Sequence, residues 1–107
     1  MLGGVDGLWA ALVEPHRRAV LERLCSRPHT VGELADALGM SQPMTSKHLR
    51  VLRDAGLVRV ERQAQHRLYA IDPDRMATLD AWLAPYRHLW NNRLDTLERH
   101  LDQEDSP

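Results

Sequence analysis

The hydrophobic and polar positions of residues 30–58 predict two short helices that are joined by a tight turn and followed by a strand. Ala35 is small where two helices must cross closely, and Gly39 can take the turn conformation that a side chain would resist. Ser41 can cap the second helix through its hydroxyl, and Pro43 lies in its first turn, where a missing amide costs little. This pattern predicts a helix–turn–helix over residues 30–56, a geometry that places a helix in the DNA major groove.

The same periodicity predicts helices at both ends of the chain. Two short helices are expected over residues 5–13 and 16–26. A long helix is expected over residues 74–101, where the apolar side chains fall within one arc at about 100° per residue. Pro85 lies inside that run and should kink or split the helix. Residues 102–107 are predicted to form a frayed acidic tail of a single domain that spans residues 1–107.

Between these helices, residues 57–72 predict a β-hairpin, or wing. Two strands, at 57–62 and 67–71, flank a polar four-residue loop. The loop length pairs Arg62 with Arg67, and further in it pairs apolar residues, including Val58 with Ile71, that face the core. Two arginines opposite each other repel, which either an anionic partner would relieve or solvent would screen.

The second helix of the motif divides into two halves on a helical wheel. One half holds Met44, Thr45, His48, Leu49, Val51, Leu52 and Ala55, and the other half is polar and basic. Glutamine and arginine side chains can pair with base edges, and lysine and arginine suit phosphates, although a solvated face is the ordinary alternative. The residues predicted to contact DNA are Ser41, Gln42, Thr45, Ser46, Lys47, Arg50 and Arg53 on the helix and Arg62, Gln65, His66 and Arg67 on the wing.

Charge is distributed unevenly along the 107 residues, although the formal net charge is only −1. Residues 41–71 carry six basic against two acidic side chains, whereas residues 72–107 carry four against eight. A basic segment beside an acidic one is typical of a DNA-binding module with a separate assembly element. The one cysteine, Cys25, excludes an internal disulfide framework and a thiolate zinc cluster.

Other function classes are disfavoured by what the sequence lacks. It contains no apolar run of membrane-spanning length and no secretory leader pattern, so no membrane partner and a cytoplasmic location are expected. It contains neither a phosphate-cradling glycine loop nor a nucleophile with its base, so we do not expect an enzyme.

The motifs of this chain resemble those of the ArsR/SmtB family of winged helix-turn-helix bacterial repressors. The segments that carry the resemblance are residues 15–21 (PHRRAVL), 30–35 (TVGELA), 40–43 (MSQP), 46–52 (SKHLRVL), 55–58 (AGLV) and 67–73 (RLYAIDP). The resemblance implies a mainly helical fold with a β-hairpin and a homodimer assembled through the first and last helices. It also implies repression by binding to an inverted-repeat operator in double-stranded DNA, including one at the regulator's own promoter.

The founding members of that family sense metals, and here the sequence departs from their pattern. A Cys-x-Cys site on the first motif helix is replaced by residues 33–36 (ELAD). On the last helix, Tyr86 precedes His88 and Gln103 follows His100, where the family's metal site has aspartate and glutamate. We therefore expect no metal and no cofactor, and residues 79–87 (LDAWLAPYR) resemble a subgroup without metal sites.

Several alternatives remain open at this point. The regulator could respond to a metal or to an unidentified small molecule, or the fold could serve protein interaction without DNA. The residues predicted to form the dimer interface are Trp9, Leu79, Trp82, Leu83, Tyr86, Leu89, Trp90, Leu94 and Leu97, and Trp82, Tyr86 and Trp90 could instead line a ligand pocket there. Arg17 and Arg18 could contact the DNA backbone or be a solvated helix start. His48 is expected to be packed and hydrogen-bonded, and Cys25 to be semi-buried.

Overall fold

Helices and one hairpin follow one another in the order that the periodicity predicts. The computed structural model describes residues 5–105, and the side chains of residues 5–101. Within that range the elements are α1 (Val5–Leu12), α2 (Pro15–Leu24), α3 (Val31–Leu38), α4 (Gln42–Asp54), β1 (Val58–Gln63), β2 (His66–Ile71) and α5 (Pro73–Asp105). The mainly helical fold class with a two-stranded antiparallel hairpin is confirmed.

The core is built mainly from leucine side chains, since the chain contains no phenylalanine. The fully buried apolar side chains are Leu8, Val20, Leu34, Leu49, Leu52 and Leu57, which come from α1 to α4 and the start of the hairpin. Full burial of one such side chain contributes about 1.5–3 kcal/mol. The core therefore fixes α4 against α2 and α3 and determines which side of α4 faces outward.

Side chains that cap helix starts define the helix–turn–helix. Thr30 Oγ1 accepts the N–H of Glu33 (3.1 Å), while the Glu33 carboxylate accepts the N–H of Thr30 (2.9 Å), which forms a reciprocal capping box. Ser41 Oγ accepts the N–H of Met44 at the start of α4 (3.2 Å), as predicted. These bonds satisfy amide groups that a helix leaves unpaired at its N-terminus.

Two glycines have the backbone conformation that the turns require. Gly39 ends α3 at φ 66°, and Gly56 follows α4 at φ 80°, both in the left-handed region. A Cβ on Gly56 would also lie 2.7 Å from Arg75 Cγ at the start of α5. Gly56 is therefore favoured both by its backbone conformation and by the nearby Arg75 side chain.

Arg17 and Arg18 join α2 to α1, which neither sequence alternative anticipated. Arg17 Nε donates to the carbonyl of Ala11 (2.6 Å), and Arg18 Nη1 donates to the carbonyls of Leu12 (2.7 Å) and Val13 (3.0 Å). Cationic side chains here satisfy the carbonyl groups that α1 leaves unpaired at its C-terminus.

The hairpin has the predicted register and a shorter loop. Arg62 pairs with Arg67 and Val58 with Ile71, as expected, but Gln63 also pairs with His66, which leaves two residues in the turn. Ala64 takes φ 54° there, a left-handed conformation that a tight hairpin turn needs. His29 adds a bridge to the sheet that was not predicted, because its N–H and carbonyl bond to Tyr69 at 3.0 and 2.7 Å.

Helix α5 is longer and more continuous than predicted. It runs unbroken through Pro85 to Asp105, so Pro85 does not split the helix, which was one of the two effects predicted for it; the other, a kink, stays a prediction. The prediction of a frayed tail from residue 102 was also wrong for residues 102–105, whose backbone is helical. Residues 106 and 107 lie outside the described range. Proline removes one backbone hydrogen bond of the helix, and the hydrogen bonds on either side of it still hold the helix together.

Candidate nucleic-acid interface

Helix α4 buries one face and exposes the other. Thr45, Leu49 and Leu52 are fully buried, and His48 is only 9% exposed. The exposed side chains on the other face are Gln42, Ser46, Lys47, Arg50 and Arg53, all of them predicted DNA contacts. We call these five residues the recognition face. Its side chains can reach base edges through amide and guanidinium groups and can reach phosphates through the cations.

The prediction that Thr45 contacts DNA was wrong, because Thr45 has no exposed surface. Its hydroxyl donates to the carbonyl of Ser41 (2.8 Å), so both the methyl and the hydroxyl are used within the protein. Met44 and Val51, which the helical wheel assigned to the packed half, are 48% and 39% exposed. The buried stripe of α4 is therefore narrower than predicted.

A cleft separates the recognition face from the wing. It has a volume of about 310 Å³ and is lined by Ser46, Arg50, Arg53, Asp54 and Tyr69. The cleft is lined by the two basic side chains of Arg50 and Arg53 and by one acidic side chain, Asp54, so its net charge is positive. A cation-lined groove of this kind suits an anionic backbone.

The tip of the wing carries charge on one face only. Arg62 and Arg67 are paired across the strands and both are exposed, with the Arg67 guanidinium carbon 6.0 Å above the Tyr69 ring. On the other face of β1, Arg59 forms an ion pair with Glu61 (2.9 Å), which neutralises it. Gln65 and His66 are exposed at the turn. The uncompensated positive charge of the wing thus lies at its tip.

The second half of α5 exposes an apolar stripe. Its exposed residues are Trp82, Tyr86, Leu89, Trp90, Leu94, Leu97 and Leu101, and Trp90 is 63% exposed. We call these seven residues the α5 stripe. A contiguous apolar surface of this kind on a small protein marks an interaction site.

Three other residues predicted at the dimer interface belong to the protein's own packing. Leu79 is buried in the core, and Trp9 and Leu83 pack against it while partly exposed. The Trp9 and Trp82 rings meet edge to face at 5.1 Å, which fixes α1 against α5. Leu79 is therefore a core residue and not part of an exposed surface, a correction to the prediction.

The apolar cavity on α5 does not involve the aromatic residues that were considered for a ligand pocket. It has a volume of about 460 Å³ and lies at the start of the helix, lined by Ile71, Pro73, Met76, Ala77, Leu79, Asp80 and Leu83. Trp82 instead stacks on Tyr86 at 4.9 Å. Cys25 is exposed at the end of α2, so its predicted semi-burial was wrong.

Glu14, His16 and His48 meet on the side of α4 away from the wing, and sequence reasoning missed this cluster. Glu14 Oε1 lies 2.8 Å from His16 Nδ1, and Glu14 Oε2 accepts the N–H groups of His16 and Arg17, which begin α2. The hydrogen bond from the His16 side chain is the main cause that holds the pKa of Glu14 below its usual value. His48 is more than 30 residues from Glu14 and His16 in the sequence, so no local spacing could have indicated its contact with them.

His48 is packed as predicted but is not held by a close hydrogen bond to Glu14. Its Nδ1 lies 3.9 Å from Glu14 Oε2, which is beyond hydrogen-bond distance. The ring stacks on His16 with centroids 5.6 Å apart. Burial lowers the pKa of His48, and the nearby Glu14 carboxylate opposes that shift. A neutral imidazole is favoured there.

Hydropathy along the described helices is too low for any of them to cross a bilayer. The fold and the exposed basic surface define the structural class to which the protein belongs. Helices α3 and α4 form a helix–turn–helix, and the β1–β2 hairpin beside it is the wing of a winged helix-turn-helix protein.

Comparison with known proteins identifies the family within this class. Residues 14–60 match the model of the "bacterial regulatory protein, arsR family". The chain is 38% identical over 99 residues to the HTH-type transcriptional regulator Rv2034 of Mycobacterium tuberculosis. This alignment covers 92% of the present chain and 90% of Rv2034. The protein belongs to the ArsR family of transcriptional regulators, which are not enzymes.

Solved structures agree with this assignment. The ArsR-family transcriptional regulator RHA00566 has a TM-score of 0.69 and 39% identity over 83% of this chain and 98% of its own. A DNA-binding domain of Mb0332 from Mycobacterium bovis, described as a homodimeric winged helix-turn-helix, has a TM-score of 0.66 and 27% identity over 79% of each chain. The predicted winged fold and regulator class are confirmed.

Proposed function

We propose that this protein is a homodimeric repressor that binds an inverted-repeat operator in double-stranded DNA, including one at its own promoter. Residues 30–56 and 57–72 would contact DNA, and residues 74–101 would assemble the dimer, within one domain. The protein would act in the cytoplasm, where the bacterial chromosome is accessible to it. No small-molecule effector is assigned.

The recognition face is the observation that carries this proposal. Five polar or basic side chains of α4 are exposed together, while the opposite side of the same helix is sealed in the core. Gln42, Ser46 and Arg50 would read base edges from the N-terminal part of the helix, and Lys47 and Arg53 would bind phosphates. Ser41 would bind from the start of the helix, although its Oγ already caps α4.

The wing extends this surface along the DNA. Arg62 and Arg67 repel each other across the strands, and a phosphate or a narrow minor groove would relieve that repulsion. Gln65 and His66 lie at the same tip and would follow the flanking backbone. In a dimer, two α4 helices would enter successive major grooves about 34–36 Å apart.

The α5 stripe supports a second copy of the chain as the assembly partner. The proposed interface consists of Trp82, Tyr86, Leu89, Trp90, Leu94 and Leu97, with Trp9 and Leu83 at its edge. Aromatic residues and leucines at an exposed helix surface are typical of the buried centre of interfaces. Mb0332, which is described as homodimeric, supports a second copy of the chain as the partner.

A footprint on the DNA upstream of the protein's own gene tests binding, symmetry and autoregulation together. We expect two protected half-sites related by a two-fold axis, with their centres one helical turn apart. Unprotected DNA, or a single protected half-site, would contradict the proposal of a dimeric repressor acting at its own promoter.

Titrations of the protected DNA then test the recognition face. Arg50→Ala should cost about 1–3 kcal/mol and relax discrimination at one base pair, whereas Lys47→Ala should weaken all sequences alike and flatten the salt dependence. Arg23→Ala is the matched control, since Arg23 is an exposed arginine on α2 outside the recognition face and the wing. Equal effects of Arg50→Ala and Arg23→Ala would contradict the assignment of this face.

A further inference from the structure

Three potential metal ligands from two separate parts of the chain converge beside the recognition helix. Glu14 directly precedes α2, His16 lies in its first turn, and His48 lies in the middle of α4. One ligand atom from each of the three lies within 4.8 Å of the others. Within the described part of the chain, no other group of three or more histidine, cysteine or acidic side chains meets in this way.

The distances are close to those that a bound ion would impose. Zinc binds nitrogen and oxygen at about 2.0–2.2 Å, so two ligand atoms of a tetrahedral site lie about 3.3–3.5 Å apart. Glu14 lies between the two imidazoles, with one oxygen 2.8 Å from His16 Nδ1 and the other 3.9 Å from His48 Nδ1. An ion among these atoms requires the side chains to shift, and the His16 side chain is 60% exposed and can move.

The cluster also opens into a cavity that can hold further ligands. The cavity has a volume of about 360 Å³ and is lined by Glu14, His16, Met40, Ser41, Met44 and His48. It thus offers room for water to complete the coordination of an ion. Metal sites built from two histidines and one glutamate commonly keep such an open position.

We propose that Glu14, His16 and His48 bind one divalent transition-metal ion of the zinc class per chain. Two imidazole nitrogens and one carboxylate oxygen suit zinc, nickel and cobalt(II). The ion would connect the start of α2 to the recognition helix, at a place distinct from the α3 and α5 positions where the sequence lacks metal-ligand patterns. The inference goes beyond the proposed function, and its test needs no DNA, so either can fail without the other.

Titration of the metal-free full-length protein with Co²⁺ tests the site directly. We expect ligand-field absorption bands in the visible range that saturate at one ion per chain and disappear when Zn²⁺ is added. His16→Gln and His48→Gln should each weaken binding at least tenfold, because each removes a ligand. His88→Gln is the matched control, since it makes the same substitution at an exposed histidine on α5 and should leave binding unchanged.

A thermal measurement gives a second readout on the same variants. At about one hundred times its dissociation constant, Zn²⁺ should raise the Tm by roughly 10 °C, and at the same Zn²⁺ concentration His16→Gln should reduce that rise to about half or less. If His48→Gln does not fold, since His48 is buried, the exposed His16 decides the question alone. Absence of bands, wild-type affinity in His16→Gln, or equal losses in His88→Gln would each overturn the proposal.

Discussion

Helix α4 buries its apolar side and exposes its polar side, whereas α5 over residues 84–101 is exposed on all sides, including its apolar residues. Helix α4 buries its leucines and exposes glutamine, serine, lysine and arginine, whereas α5 beyond Leu83 exposes tryptophan, tyrosine and leucine. A polar, basic surface is stable in water without a partner and attracts an anion. An apolar surface of this kind costs free energy until another apolar surface covers it.

The difference shows which partner each surface fits. The recognition face is positioned by packing within its own chain, so the proposed DNA contact requires no second copy to form that surface. In a single chain, the apolar side chains of the α5 stripe are left uncovered. We therefore expect substitutions in α4 to separate into stability effects and DNA effects, and substitutions in the α5 stripe to act on assembly.

The largest expected effect is on the packed side of α4. Leu49 is fully buried, so Leu49→Ala should lower the free energy of unfolding by about 2–5 kcal/mol through lost burial and the cavity that remains. Denaturant unfolding measures this loss in the free energy of unfolding. Val51→Ala, on the same helix but 39% exposed, is the control and should cost below about 1 kcal/mol. Similar costs for both would mean that α4 does not have the buried face described here.

A charge in the α5 stripe should dissociate the dimer while leaving the chain folded. Trp90 is 63% exposed, so Trp90→Asp removes an interface aromatic without opening the core, and it should weaken dimerisation by about 2–4 kcal/mol. Sedimentation equilibrium measures the dissociation constant, and circular dichroism checks the fold.

Asn92→Asp provides the matched charge for that experiment. It places the same carboxylate two residues further along, on the opposite side of α5, where it should leave the dimer intact. Dissociation by both variants would indicate a general charge effect and not an interface at the stripe.

A smaller effect on stability is expected at the start of α3, where the capping box of Thr30 and Glu33 lies within one chain. Thr30→Ala removes the oxygen that accepts the Glu33 N–H, and it should cost about 1 kcal/mol. Thr30→Ser keeps that oxygen and should restore most of the loss. A thermal scan of both variants at one protein concentration measures this, and an unchanged Tm in Thr30→Ala would show that the cap adds nothing.

The smallest expected effect is on the stability of the protein at acidic pH. The Thr30 N–H, followed by the Arg27 guanidinium, lowers the pKa of Glu33 from 4.5 to about 2. A lowered pKa adds stability above pH 4.5 that is lost as the pH falls toward 2. Glu33→Gln should therefore make stability depend less on pH in that window, as followed by denaturant unfolding. An identical slope in both proteins would contradict this role of Glu33.

The sequence was sufficient to predict the features that are determined locally. The helical periods, the Gly39 and Gly56 turns, the Ser41 cap and the pairing of Arg62 with Arg67 depend on neighbours in the chain, and the structure has all of them. The four-residue loop was two residues too long because Ala64, a non-glycine residue, takes a left-handed conformation that its identity does not suggest.

The features that sequence reasoning missed depend on contacts between distant segments. His29 pairs with Tyr69 through the backbone alone, and a one-residue bridge leaves no periodic pattern. The meeting of Glu14 and His16 with His48 exists only because α2 packs on α4. The wheel placed Thr45 in the packed half, and the prediction of a DNA contact went against that placement because a hydroxyl can bond outward or, as here to the Ser41 carbonyl, inward.

The proline within α5 lies two residues after Leu83, which packs against the core, and within the span of the α5 stripe. Pro85 has no N–H, so the Ala81 carbonyl one turn earlier receives no helical hydrogen bond at that point. Bending is least costly where the hydrogen-bond ladder is interrupted. In the proposed dimer, Pro85 would therefore be the point at which α5 bends most easily, and such bending would change the distance between the two α4 helices.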